Sequence, residues 1–125
     1  TILVIDDTDA LVTLFHDLLT GHGQTVLKAY SGSQGIDLYR QHHVDLVLCD
    51  LGMPGMSGWD VGWMVRSICR DKGIPKTPFV LLTGWAGQSL DRELIEQSGI
   101  DGVLEKPVDV PRLFEMIRRV VRDKN

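Results

Sequence analysis

No apolar run in the chain approaches the roughly 20 residues that a membrane span requires, and no signal-peptide pattern opens it. A cytoplasmic chain with no membrane partner is therefore expected. Cysteine is scarce: Cys49 and Cys69 are the only two, and both fall in apolar stripes rather than turns. Buried, reduced thiols follow, and a disulfide does not. Basic residues are outnumbered, 13 against 17 acidic, for a net charge of -4. That balance argues against direct contact with nucleic acid, whose phosphates are met by basic faces. Arg118, Arg119, Arg122 and Lys124 gather near the end, but Glu115 and Asp123 are interspersed, as on a solvated helix face. His16, His22, His42 and His43 share no metal-ligand spacing with the cysteines and read as surface or helix-end residues. Internal repeats and low-complexity segments are missing. At 125 residues a single domain over 1–125 is expected, burying roughly two thirds of its chain surface. Thr1 already lies inside a strand pattern, as in a domain cut from a longer protein.

What is present is organised around the stretch from Val44 to Gly58. Leu46 to Cys49 are four consecutive apolar residues, long enough for a strand buried on both faces and too short for a helix, and they run into Asp50. Beyond it Gly52, Pro54, Gly55 and Gly58 predict a loop, with Ser57 capping the next helix. Ile2 to Ile5 is a second such strand, ending on Asp6 and Asp7. Thr8 or Asp9 then caps a helix whose apolar stripe is Leu11, Leu14, Phe15, Leu18 and Leu19, stopped by Gly21 and Gly23. Thr25 to Ala29 reads as a strand, and Ser31 opens a helix with Ile36 and Tyr39 that ends near His42. A third helix, about 58–70, carries Val61, Met64, Val65 and Ile68. Phe79 to Leu82 is a strand ending on Thr83; Leu90, Leu94 and Ile95 mark a helix stopped by Gly99. A short strand, Gly102 to Leu104, leads to Lys106 and Pro107, and the last helix carries Leu113, Phe114, Ile117, Val120 and Val121.

Five strands alternating with five helices through short connections predict an α/β, flavodoxin-like, doubly wound parallel sheet in strand order 2-1-3-4-5. That order sets strands one and three side by side, with Asp6, Asp7 and Asp50 at their carboxyl ends. Three crowded carboxylates repel unless a positive charge sits among them. Mg²⁺ suits the site, since it takes one or two carboxylates, keeps waters and shares phosphate oxygens. Asp7 and Asp50 are the expected direct ligands, with Asp6 acting through water and the Gly52 backbone carbonyl as a further ligand. Thr83 and Lys106 add a hydroxyl and an ammonium for a phosphoryl group. An aspartate can itself be the nucleophile, forming an acyl phosphate.

With these residues the sequence resembles, over its whole length, the receiver domain of two-component response regulators. The resemblance rests on Asp6-Asp7, on Asp50 within Asp-Leu-Gly-Met-Pro-Gly-Met-Ser-Gly, on Thr83 after its apolar strand and on Lys106-Pro107. It implies that Asp50 accepts a phosphoryl group from a phosphohistidine on a histidine kinase or histidine phosphotransfer protein. Asp6 and Asp7 would hold Mg²⁺, and Thr83 and Lys106 would contact the phosphoryl group. Such a domain is a signalling switch and not a stand-alone turnover enzyme. The Leu-Thr-Gly-Trp stretch around Thr83 resembles receivers of hybrid histidine kinases.

Two places depart from the family. Val103 stands three residues before the lysine where receivers commonly carry Tyr or Phe, and Val108 replaces an aromatic just after Lys-Pro. Trp85 is the residue expected to take part in output instead. Trp63, opposite the core side of the third helix with Arg66 and Arg70 nearby, is a candidate for docking or self-association. Met53 and Met56 read as packing around the loop. Two competing functions remain open at this stage. Asp7-Thr8-Asp9 is similar to the Asp-x-Asp of haloacid-dehalogenase-like phosphohydrolases, with Asp7 as nucleophile, although no late acidic pair or cap insertion accompanies it. An interaction module without phosphorylation is the other.

Overall fold

The computed structural model describes residues 1–84 and 92–122. Trp85, Leu90, Asp123 and Lys124, named above, lie outside them. Within the described residues the elements run β1 (Ile2–Ile5), α1 (Asp9–Thr20), β2 (Val26–Ala29), α2 (Gly32–Gln41), β3 (Leu46–Asp50), α3 (Gly58–Lys72), β4 (Phe79–Thr83), α4 (Arg92–Gln97), β5 (Gly102–Glu105) and α5 (Val110–Arg122). The strands form one parallel sheet in the order β2-β1-β3-β4-β5. This is the expected flavodoxin-like topology.

Continuous apolar strands arise because the sheet is covered on both faces. Leu3, Ile5, Val47, Cys49, Phe79 and Leu81 point into one core cluster with Ile36 and Tyr39 of α2 and Val61, Val65 and Ile68 of α3. Ile2, Val4, Leu46, Leu48, Val80 and Leu82 point into the other, with Phe15 and Leu19 of α1 and Leu113 and Val120 of α5. The three inner strands β1, β3 and β4 thus alternate between two buried faces and have no polar side to show, whereas the edge strands β2 and β5 expose Lys28 and Glu105. Both cysteines are buried and free. No helix among the described residues is long and apolar enough to cross a membrane.

Several local expectations are revised. Leu14 is half exposed, and Val12 is fully buried in its place. Val12, Phe15 and Leu19 follow the i, i+3, i+7 spacing that faces the sheet, while Leu14, two residues on from Val12, is turned about 200° away. Thr8 sits at the cap position of α1 without a side-chain cap bond; instead its amide donates to Asp6 Oδ1 at 2.9 Å. The second strand begins at Val26 rather than Thr25, and α3 continues to Lys72 before Gly73 ends it in the left-handed conformation at φ 66°. Trp63 is exposed as expected, whereas Trp59 packs against the core.

Three buried polar groups tie α2, α3 and the entry to β4 together. The Tyr39 hydroxyl lies 2.6 Å from Thr77 Oγ1 and 3.0 Å from Cys69 Sγ. Burial first, then the Cys69 thiol, pushes the phenol pKa up to about 12.

Candidate functional site

Strand register assembles the site. Ile5 pairs with Cys49, so the next residues, Asp6 and Asp50, leave the sheet side by side; Asp50 pairs with Leu82 and Thr83 with Glu105, one residue before Lys106. Residues from four strands converge at the carboxyl edge, where open α/β sheets bind their ligands. The Lys106 amide donates to the Thr83 carbonyl at 2.7 Å, which fixes the chain entering the lysine.

Asp6 is fully buried and Asp50 nearly so, while Asp7 faces solvent. One carboxylate oxygen from each lies within 4.8 Å of the others. Lys106 Nζ donates to Asp50 Oδ1 at 2.8 Å and to Asp6 Oδ2 at 3.0 Å. Burial lowers the lysine's pKa, but hydrogen bonds and charges from Asp50 and Asp6 outweigh it and raise the value, keeping the ammonium protonated. Both oxygens of Asp6 are therefore engaged, one by Lys106 and one by the Thr8 amide. Asp7 and Asp50 Oδ2 make no hydrogen bond or ion pair with protein among the described residues.

This donor set can be tested for a cation. Three carboxylates against one ammonium leave two negative charges, and every donor is an oxygen. Both features suit a hard divalent ion such as Mg²⁺. Gly52 lies in the exposed loop two residues beyond Asp50. Thr83, almost fully buried, ends β4. Cys49 is no competing nucleophile: burial first, then the charges of Asp50 and Asp6, raise its thiol pKa far above the usual value.

Two supports escaped the sequence reading. A side chain at Gly58 would meet Leu81 and come within 2.6 Å of the Asp50 carbonyl oxygen and 2.9 Å of Leu51 Cα, so only glycine lets α3 start against the phosphoacceptor candidate. Asp60 completes a capping box: the Asp60 amide donates to Ser57 Oγ at 3.3 Å, and the Ser57 amide donates to Asp60 Oδ2 at 3.0 Å. The Ser-x-x-Asp spacing was the signal available for it. Met56 rests on Gly32, and Met53 is buried, both as packing.

Fold and strand-end site together define a flavodoxin-like domain with an acid cluster and a lysine at its switch point. Residues 2–118 match the response regulator receiver domain family, and the chain belongs to it. A similar relative is the polar-differentiation response regulator DivK of Brucella ovis, 31% identical over 98% of this chain and 97% of that one. Among solved structures, the fold matches a Saccharomyces cerevisiae response regulator receiver domain co-crystallised with its histidine phosphotransfer signalling protein. That match has a TM-score of 0.86 and 21% identity, covering 95% of this chain and 86% of that one. It also matches the receiver domain of a sensor histidine kinase from Pseudomonas aeruginosa PAO1, which has a magnesium ion in its active-site cleft, with a TM-score of 0.79 and 24% identity over 96% and 95% of the two chains. Receivers serve two-component signalling and are generally switches, not turnover enzymes. That membership sets aside the dehalogenase-like reading built on Asp7.

Proposed function

We propose that the chain takes a phosphoryl group onto Asp50 from the phosphohistidine of a partner histidine kinase or histidine phosphotransfer protein, and that the acyl phosphate switches a partner-binding surface. The observation that carries this is the double contact of Lys106 with Asp50 Oδ1 and Asp6 Oδ2, which leaves Asp50 Oδ2 available. A carboxylate oxygen of Asp50 attacks phosphorus, forming an O–P bond as the P–N bond to the imidazole breaks. The imidazole leaves with the electron pair and takes up a proton. The Lys106 ammonium offsets charge on the transferring oxygens, and the Thr83 hydroxyl donates to one of them.

Asp7 and Asp50 would hold Mg²⁺ directly, Asp6 through water, with the Gly52 backbone carbonyl as a further ligand. The ion, when bound, neutralises oxygen charge that one lysine leaves uncompensated. The residual double negative charge and the all-oxygen donor set support this assignment. So does the magnesium in the cleft of the sensor-kinase receiver. For the donor, the co-crystallised phosphotransfer protein of the yeast receiver supports a phosphohistidine partner. The setting that goes with such donors is the cytoplasm.

Intact-mass spectrometry after incubation with acetyl phosphate tests the proposal, using wild type and Asp50→Asn with and without Mg²⁺. One phosphoryl adduct that needs both Asp50 and Mg²⁺ is expected. An adduct retained in Asp50→Asn would make the assignment wrong.

A further inference from the structure

Gly32 opens α2 and is buried there, although alanine is the better helix former. Its neighbour supplies the reason. A Cβ at this position would lie 2.8 Å from Met56 Cβ and 2.9 Å from both Met56 Cγ and Sδ. Because Cβ is carried directly by the backbone, no rotation of the Met56 side chain relieves the contact, and one of the two chain segments has to move.

Of the two, α2 is the fixed one. One turn on, Gly35 seats the helix so close to β1 that a side chain there would run into Ile5, and Ile36 and Tyr39 are buried in the core. The segment bearing Met56 is freer: between Asp50 and the capping box of α3 it exposes Gly52, Pro54 and Gly55, and a Cβ at Gly52 or Gly55 would meet nothing within 4 Å. It is also closed on itself. The Gly58 amide donates to the Leu51 carbonyl at 3.0 Å and the Met56 amide to the Pro54 carbonyl at 3.1 Å, so a shift at Met56 is shared with Gly52.

We propose that Gly32, on a helix that contributes no residue to the acid cluster, is a positioning residue for the divalent cation. Its missing side chain lets Met56 seat the loop where the Gly52 carbonyl serves the ion. The inference rests on the Mg²⁺ assignment proposed above.

Calorimetric titration of the whole chain with Mg²⁺ alone, beside thermal unfolding to confirm that each variant is folded, tests it in wild type, Gly32→Ala, Met56→Gly and the double variant. Gly32→Ala is expected to weaken Mg²⁺ about tenfold, the lower end of the loss when a group that orients a ligand is changed. In the Met56→Gly background, where room has been made, the same alanine should alter affinity less than about twofold, because the two sites act through one contact. A general loss of stability would not distinguish the two backgrounds. Unchanged Mg²⁺ affinity in Gly32→Ala, or an equal loss in both backgrounds, would overturn the positioning role. A wild-type chain that binds no Mg²⁺ would overturn the cation assignment itself, and the role of Gly32 with it.

Discussion

Lys106 and Asp50 are joined by a 2.8 Å hydrogen bond across 56 residues of chain, and the same ammonium reaches Asp6 at 3.0 Å. One cation thus holds two of three clustered carboxylates. Under the proposed function, replacing it separates two processes that would share the site. Lys106→Met takes the cluster from two net negative charges to three, so a divalent cation should bind more tightly while phosphoryl transfer slows. We expect Mg²⁺ affinity to rise about threefold or more and labelling by acetyl phosphate to fall at least about tenfold, the loss of one positioned charge. Calorimetric Mg²⁺ titration and single-turnover labelling measure the two effects. Weaker Mg²⁺ binding in Lys106→Met would contradict the charge balance described here.

Alkali should destabilise the fold through two groups. Tyr39 keeps its proton to about pH 12 in the folded chain, against an ordinary phenol value of 10.0. Its contribution is complete below pH 10 and is lost as pH rises toward 12, because only the unfolded chain releases the proton easily. Lys106, also raised, acts in the same direction above its ordinary value of 10.5. Tyr39→Phe removes the first effect and keeps the second. It should cost about 1–2 kcal/mol at neutral pH, since Thr77 and Cys69 lose their shared partner, and it should flatten the loss of stability between pH 10 and 12. Urea unfolding across pH 7–12 reads both.

Gly58 and Gly52 flank the same loop and should respond oppositely to alanine. A methyl group at Gly58 meets backbone atoms that cannot move aside, the Asp50 carbonyl among them, whereas nothing lies within 4 Å of one at Gly52. Gly58→Ala is expected to cost about 1–3 kcal/mol and to slow phosphorylation. Gly52→Ala should stay within about 0.5 kcal/mol of wild type. Thermal unfolding of the two variants decides the matter, and equal stability would remove the packing argument.

The two residues exchanged in the reading of α1 make a similar pair. Val12→Ala, at a fully buried position, should cost about 1–3 kcal/mol, while Leu14→Ala, half exposed, should cost under about 0.5. Chemical denaturation of both variants tests which face of the helix meets the sheet.

That exchange also shows where sequence reasoning stops. The strands and their order were legible because sheets covered on both faces demand continuous apolar runs, and Leu46 to Cys49 or Phe79 to Leu82 have no other use. The acids and Thr83 were legible because they follow or end such a run, and Lys106 because it comes with Pro107 just after the short strand 102–104. Within α1 the pattern was ambiguous: Leu11, Val12, Leu14 and Phe15 allow two stripes, and only the sheet selects one. The bridge from Lys106 to Asp6 depends on side-chain reach across strands, and the packing of Gly58 on Asp50 depends on how closely α3 approaches. Neither leaves a periodic trace. Tyr39, Thr77 and Cys69 meet because α2 and α3 pack side by side, and nothing local in any of the three announces it.

The sheet order β2-β1-β3-β4-β5 has a consequence for how the protein is made. Its first-synthesised strand is an interior one, and Asp6 at its end waits for a lysine that follows a hundred residues later. At translation rates of about 5–20 residues per second, that interval is on the order of 5–20 seconds. During it the emerging chain carries Asp6, Asp7 and finally Asp50 with no Lys106 to balance them. The charge pattern around Asp50 is therefore complete only once Lys106 has been made, and under the proposed function a ribosome-bound fragment ending at β4 is expected to be silent to a phosphodonor.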